Sequence, residues 1–143
     1  MRYFSIDEAD RMVPYLQQTF EGIRARAREV GRLGRLLLER NDRSPPFAPV
    51  PDDLSEEHRT LRQARDREVE AIRAELDTLG EFGIHVKRGD GLVDFPSRHG
   101  GRQVLLCWKF GETAVSHWHE VEDGFDERRP VSRAAAFGRS FLN

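Results

Sequence analysis

Residues 41–54, NDRSPPFAPVPDDL, constrain this chain more than any other stretch. Pro45, Pro46, Pro49 and Pro51 fall within it, and proline inside a helix costs roughly 3 kcal/mol or more through its missing N–H and its ring clash. No helix crosses such a segment. The chain before it and the chain after it therefore form separate elements, joined by a long and stiff connection.

Upstream, Ser5-Ile6-Asp7-Glu8 has the spacing of a capping box and predicts a helix start at Ile6. Pro14 interrupts the following turn, which predicts a short helix over residues 6–12 and then a long one with Pro14 in its first turn. Val13, Leu16, Phe20, Ile23, Ala27, Val30, Gly34 and Leu37 recur at spacings of three and four. That narrow seam suits one helix lying lengthwise on another. Gly22, Gly31 and Gly34 each weaken the helix by about 1 kcal/mol relative to alanine, so packing must hold it. Downstream of the prolines, Ser55 is a natural N-cap with Glu56 and Glu57 at the positive helix end. Leu61, Ala64, Val69, Ile72, Leu76 and Leu79 form the apolar stripe, and Gly80 is the expected C′ residue.

Two antiparallel helices alone leave apolar surface uncovered, and the second half of the chain supplies the cover. Gly83-Ile84-His85-Val86 reads as a short strand, Gly89-Asp90-Gly91 as a turn, and Leu92-Val93-Asp94-Phe95 as a strand stopped by Pro96. Gly100-Gly101 is a hairpin-loop signal. Val104 to Phe110 is an apolar strand, Gly111-Glu112 turns the chain, and residues 114–120 return antiparallel. The expected class is α+β: a long antiparallel helical hairpin packed against a small antiparallel sheet of about three or four short strands in the C-terminal half. The expected organisation is a single domain over residues 1–143, with the hairpin in 1–80, the β-containing region in 81–130 and a tail in 131–143. Ala135, Ala136, Phe137, Phe141 and Leu142 of that tail are expected to pack on the protein or on a second copy, and with the helical seam they suggest a homodimer.

Composition narrows the setting. No apolar run approaches the roughly 20 residues of a membrane helix, so no membrane partner is expected, and the first residues lack a signal-peptide apolar region. A single cysteine excludes an intrachain disulfide and fits a reducing cytoplasm. A net charge of -2 gives no global pull toward nucleic acid. Of 23 basic residues, only Lys87 and Lys109 are lysines.

Candidate chemistry concentrates between Gly91 and Pro130. His117 and His119 are two apart on a strand and share a face. The register of the hairpin decides their neighbours. A two-residue loop sets His117 opposite Leu106 and His119 opposite Val104; a three-residue loop sets them opposite Cys107 and Leu105. The second register allows Cys107, His117 and His119, with Asp94 or Glu120, to hold a divalent metal such as zinc. The competing reading makes the histidines polar strand residues and Cys107 a small buried hydrophobe. Asp94, Glu112, Glu120, Glu122 and Asp123 lie in the same region, where a close carboxylate pair would serve acid–base chemistry. Trp108 and Trp118 read as core between sheet and helices, with ligand stacking as the alternative. Arg102, Arg128 and Arg129 either bind an anionic ligand or pair with the acidic residues. Arg24, Arg28, Arg32 and Arg35 form a line on the first helix that would contact phosphates, unless Asp66, Glu68, Glu70 and Glu75 answer it. No Gly-rich phosphate loop and no Gly-x-Ser-x-Gly elbow is present.

Phe4-Ser5-x-x-Glu8-Ala9 with Pro14 at the head of a long helix, GLVDFP (91–96), LCW (106–108), GE (111–112), WHE (118–120), GF (124–125) and Arg129-Pro130 resemble a family of small bacterial proteins catalogued as domain of unknown function 2203. The resemblance covers residue 4 to about residue 130. It implies long helices followed by a compact β-containing region, and brings no assigned reaction. The first functional expectation is a cytoplasmic, non-enzymatic interaction or ligand-binding protein. The alternative is a metal-binding protein or metal-dependent enzyme using Cys107, His117 and His119. Nucleic-acid binding through the arginine line ranks last.

Overall fold

The computed structural model describes residues 2–132, 137 and 138. Two helices, α1 (Ile6–Leu38) and α2 (Glu56–Glu81), precede five strands: β1 (His85–Arg88), β2 (Leu92–His99), β3 (Arg102–Lys109), β4 (His117–Glu120) and β5 (Arg129–Pro130). Every strand pairs antiparallel with its sequence neighbours, giving a meander in the order β1-β2-β3-β4-β5. The α+β class holds, with one strand more than expected. The extra strand, β5, has two residues, one of them proline, and no alternation can announce so short an element. The chain divides into two compact units, Met1–Phe20 with Leu76–Asn143, and Glu21–Glu75.

In the first unit α1 opens on the expected capping box: Ser5 Oγ accepts from the Glu8 amide at 3.1 Å, and Glu8 Oε1 accepts from the Ser5 amide at 3.0 Å. The helix then runs through Pro14 without a break, against the expectation of two helices. Pro14 is exposed while Ile6, Ala9, Val13, Leu16 and Phe20 are buried. The missing hydrogen bond thus falls on the exposed side of the helix, and one continuous buried stripe holds both sides of the proline together. At the other end, Gly83 rather than Gly80 closes α2. Gly83 has φ +85, its amide donates to Gly80 O, and the Ile84 amide donates to Leu79 O. This is a Schellman motif, and Gly80 lies within the last helical turn.

β2 likewise continues past Pro96 to His99. In an antiparallel strand the N–H and C=O of one residue point to the same edge. Pro96 O accepts from the Phe4 amide at 2.8 Å, so the absent N–H faces the edge that β1 has already left at Asp94. An edge position of this kind tolerates proline. Ser97 Oγ donates to Phe4 O at 2.6 Å and closes the same strap. Gly100 and Gly101, both at positive φ, make the expected two-residue turn between β2 and β3.

Register and strand alternation place Val93, Phe95, Val104, Leu106, Trp108 and Trp118 on one face of the sheet. That face meets the start of the chain: the Phe95 ring lies 5.1 Å from Phe4, and Trp108 lies 6.2 Å from Phe20. Leu92, Asp94, Leu105, Cys107, His117 and His119 occupy the opposite face. Phe137 is buried and stacks on His99 at 4.3 Å, near Trp118 at 5.7 Å. Ala135, Ala136, Phe141 and Leu142 lie outside the described residues.

The second unit is an antiparallel helical hairpin, as the Arg26–Glu68 and Arg40–Glu57 ion pairs across it require. Leu33 and Leu37 are buried on α1, whereas Ala27 of the expected seam is exposed. On α2 Leu61, Ala64, Val69, Ile72 and Leu76 of the expected stripe are half-buried and Leu79 is fully buried, and Arg62 and Arg65 are buried as well. Arg62 forks onto both carboxylate oxygens of buried Asp42 at 2.6 and 3.2 Å, His58 Nε2 meets Asp42 at 2.6 Å, and Arg65 donates to Ser44 O and Pro45 O. These bonds fix the proline-rich connection. Of the expected partners of the arginine line, Glu68 pairs with Arg26 of α1. Arg32 pairs with Glu29 on its own helix, and Asp66 and Glu70 pair with Arg65 and Arg73.

Candidate metal centre

The β3–β4 pairing sets His117 opposite Cys107 and His119 opposite Leu105. This is the register expected of a three-residue loop, yet the connection spans residues 110–116. α1 holds that longer loop. Gln17 Nε2 and Trp108 Nε1 both donate to Glu112 O, at 3.0 and 2.9 Å, and the Val115 amide donates to Asp10 Oδ1 at 2.7 Å. With Val115 buried as well, the loop has little freedom to slip.

On the face opposite the helix, Asp94 of β2 lies beside Cys107 of β3, and His119 of β4 lies diagonally across. One ligand atom from each falls within 4.8 Å of the others, and all three residues are buried. His119 Nδ1 lies 2.8 Å from Glu120 O, and a carbonyl can only accept, so Nδ1 carries the hydrogen. Nε2 is thereby left facing Asp94 Oδ1 at 3.2 Å. Two acceptors in that position need a proton or a cation between them. Asp94 Oδ2 accepts no hydrogen bond among the described residues; Lys87 Nζ stands 3.7 Å away. Burial first, and the Asp94 charge second, push the Cys107 thiol up to about 11, against the hydrogen bond from Arg128. Without a metal, the sulfur therefore keeps its proton at neutral pH.

A cavity of about 190 Å³ adjoins the three residues and is lined also by Lys87, Leu92, Asp123, Gly124 and Phe125. The segment after β4 forms its outer wall. Arg128 anchors that segment, donating to both Glu112 carboxylate oxygens at 3.2 and 2.9 Å with its guanidinium 4.2 Å from the Phe125 ring centroid. Burial raises the Glu112 carboxyl, but hydrogen bonds from Arg128 and the Lys109 amide outweigh it and hold the group below its usual value. A larger, open depression of about 460 Å³ in the second unit, lined by Phe47, Gln63, Asp66, Arg67 and Glu70, has no comparable donor set.

The sequence candidates thus fall into three groups. Asp94, Cys107 and His119 come together. His117 stays out of that cluster, its Nδ1 2.9 Å from Ser116 Oγ and its ring near Glu112, while fully buried Trp108 lies on the other face of the sheet. Arg102, Trp118, Glu120 and Arg129 form the third group. Arg102 forks onto Glu120 at 2.9 and 2.6 Å, Arg129 lies 3.9 Å from the same carboxylate, and both guanidinia lie over Trp118. The arginine hydrogen bonds hold the Glu120 carboxyl below its usual value. Charge pairing, not a free anion site, is what these arginines do. Sequence reasoning missed the pocket roles of Lys87 and Phe125. The signal for Lys87 was its rarity, since a chain that uses arginine almost everywhere has lysine at this position.

Fold and site define an α+β protein with a buried Asp-Cys-His cluster under a small cavity. The chain belongs to a family of uncharacterised conserved proteins, domain of unknown function 2203, whose family profile matches residues 2–131. Comparison with curated proteins and with solved structures found no match. No described helix is long and apolar enough to cross a membrane.

Proposed function

We propose that this protein binds one divalent metal ion, zinc by its ligand chemistry, through Asp94, Cys107 and His119. The observation that carries the reading is Asp94 itself, whose buried carboxylate leaves Oδ2 without a hydrogen bond and sets Oδ1 3.2 Å from His119 Nε2, beside Cys107. Leaving a buried polar oxygen unpaired costs about 1–3 kcal/mol, more when charged. A cation between Oδ, Nε2 and Sγ removes that cost and the acceptor–acceptor conflict together. Thiolate with imidazole and carboxylate suits zinc and does not suit magnesium or calcium, which take oxygen ligands. Glu120 O on Nδ1 supplies the outer contact that orients a metal-ligating histidine. Tetrahedral zinc sets such ligand atoms about 3.3–3.6 Å apart, from its bond lengths; His119 Nε2 and Asp94 Oδ1 already stand 3.2 Å apart, and all three ligand atoms lie within 4.8 Å of one another. Three protein ligands leave a fourth position facing the cavity, which makes the protein a metal-dependent ligand binder.

Elemental analysis of tag-free protein tests the reading. One zinc per chain, lost in Cys107→Ser and His119→Ala but retained in His117→Ala, is the expected result. A metal-free protein that stays folded in chelator and takes up no added zinc overturns it. A cysteine ligand fits the reducing cytoplasm read from the composition. The homodimer rests on the helical seam, where exposed Ala27 and half-buried Val30 await cover; a monomer mass by light scattering removes it.

A further inference from the structure

Building on the metal reading of Asp94, Cys107 and His119, we propose that the open coordination position takes a small carboxylate, one oxygen on the metal and the other held by Lys87. Lys87 lines the cavity beside the three ligands, with Nζ 3.7 Å from Asp94 Oδ2. The pairing of β1 with β2 runs His85 to Asp94, Val86 to Val93, then Arg88 to Leu92, so Lys87 is the extra residue of a bulge. A bulge beside a pocket is a device for aiming a side chain. Half of the Lys87 side chain is exposed, so the ammonium is free to shift by the ångström or two that a ligand requires.

Charge selects the ligand. In the metal-free protein Lys87 is the cation nearest the unpaired Asp94 oxygen. Once a dication is bound, the Asp94 carboxylate and the Cys107 thiolate neutralise it, and the Lys87 ammonium and the Asp123 carboxylate remain as the other charges lining the cavity. The other nearby cations are engaged: Arg128 forks onto Glu112, and Lys109 lies over the Phe125 ring at 5.5 Å. One negative charge on the ligand can pair with the Lys87 ammonium, which Asp94 no longer needs once the metal is bound. A second is opposed by Asp123, which lines the same cavity, so a monoanionic carboxylate is favoured over a phosphate dianion. About 190 Å³ is less than the roughly 300–1,000 Å³ of a drug-sized site. Leu92 and Phe125 give the remaining space an apolar wall that suits a short carbon stem.

The test uses the full chain loaded with cobalt(II), whose thiolate charge-transfer band reports the Cys107 bond and whose visible bands report the fourth ligand. Acetate is expected to shift the visible bands saturably and to bind more tightly than inorganic phosphate. Lys87→Ala is expected to weaken acetate binding tenfold or more with the thiolate band unchanged, and Lys87→Arg to restore most of the loss. Acetate affinity unchanged in Lys87→Ala overturns the proposal while leaving the metal site standing, as does phosphate binding at least as tightly as acetate. A wild-type protein with no thiolate band overturns the metal reading, and this one with it.

Discussion

Asp94→Asn separates the needs of the fold from those of the metal site. The exchange keeps side-chain volume and removes one charge. His119 Nδ1 donates to Glu120 O, so in the neutral imidazole Nε2 is an acceptor, and an asparagine amide in place of Asp94 Oδ1 can donate to it across about the present 3.2 Å. A neutral amide oxygen then stands at the Oδ2 position, so the unpaired atom stays but its charge goes, a relief of about 1–2 kcal/mol. The lost contact with half-exposed Lys87 returns less than about 1 kcal/mol of that. The net is a gain of about 1 kcal/mol in the metal-free protein. At roughly 2–4 °C per kcal/mol for a chain of this length, Tm rises by about 2–4 °C. Zinc reverses the order. At a hundredfold excess over Kd the wild type gains about 2.7 kcal/mol, and the variant gains little. Calorimetry of both proteins in chelator and in zinc measures the four values. A variant clearly less stable in chelator would show that Asp94 is a structural partner, and equal shifts with zinc would show that it is not a ligand. Either result refutes the reasoning.

In the second unit, Arg62 above all, then the Ser44 and His58 bonds, hold the Asp42 carboxyl well below the usual range, against burial. A lowered folded value means its stabilisation is whole above the unfolded value near about 4 and is lost as pH falls toward the folded one. Urea midpoints of wild type should therefore drop below pH 4 more steeply than those of Asp42→Asn, while Asp42→Ala, which strands buried Arg62, should cost about 3–5 kcal/mol at pH 7. In the metal-free protein the Cys107 thiol, raised to about 11, is thiolate in about one molecule in a thousand at pH 8. A disulfide reagent should label it only after denaturation, and rapid labelling of the native protein would contradict its burial. Gly91 has φ +118, and a Cβ there would collide with the Phe110 side chain. Gly91→Ala should cost about 2–5 kcal/mol from backbone strain and overpacking, read as a lower urea midpoint, and a neutral result would refute the close approach of Gly91 to Phe110.

The features legible in the chain alone are local ones. The Ser5–Glu8 capping box, the proline barrier at residues 45–51, the Gly100-Gly101 turn and the shared face of His117 and His119 arise from bonds made within a few residues, so spacing alone reveals them. The passage of α1 through Pro14 and of β2 through Pro96 was not legible. A proline forbids a structure only where its N–H was needed, and that depends on what stands opposite: solvent beside Pro14, the Phe4 strap beside Pro96. Buried Arg62 and Arg65 were hidden for the same reason, since their partners lie about 20 residues away on the connection. The metal candidate turned on one choice, the β3–β4 register. Loop length did not decide it; Asp10 and Gln17 of α1 did, about a hundred residues earlier in the chain, by clamping Val115 and Glu112. That clamp brings Asp94, Cys107 and His119 to one spot and leaves His117 beside it. Residue types and alternation named the ligands that were available. Long-range hydrogen bonds, invisible to any local pattern, selected among them.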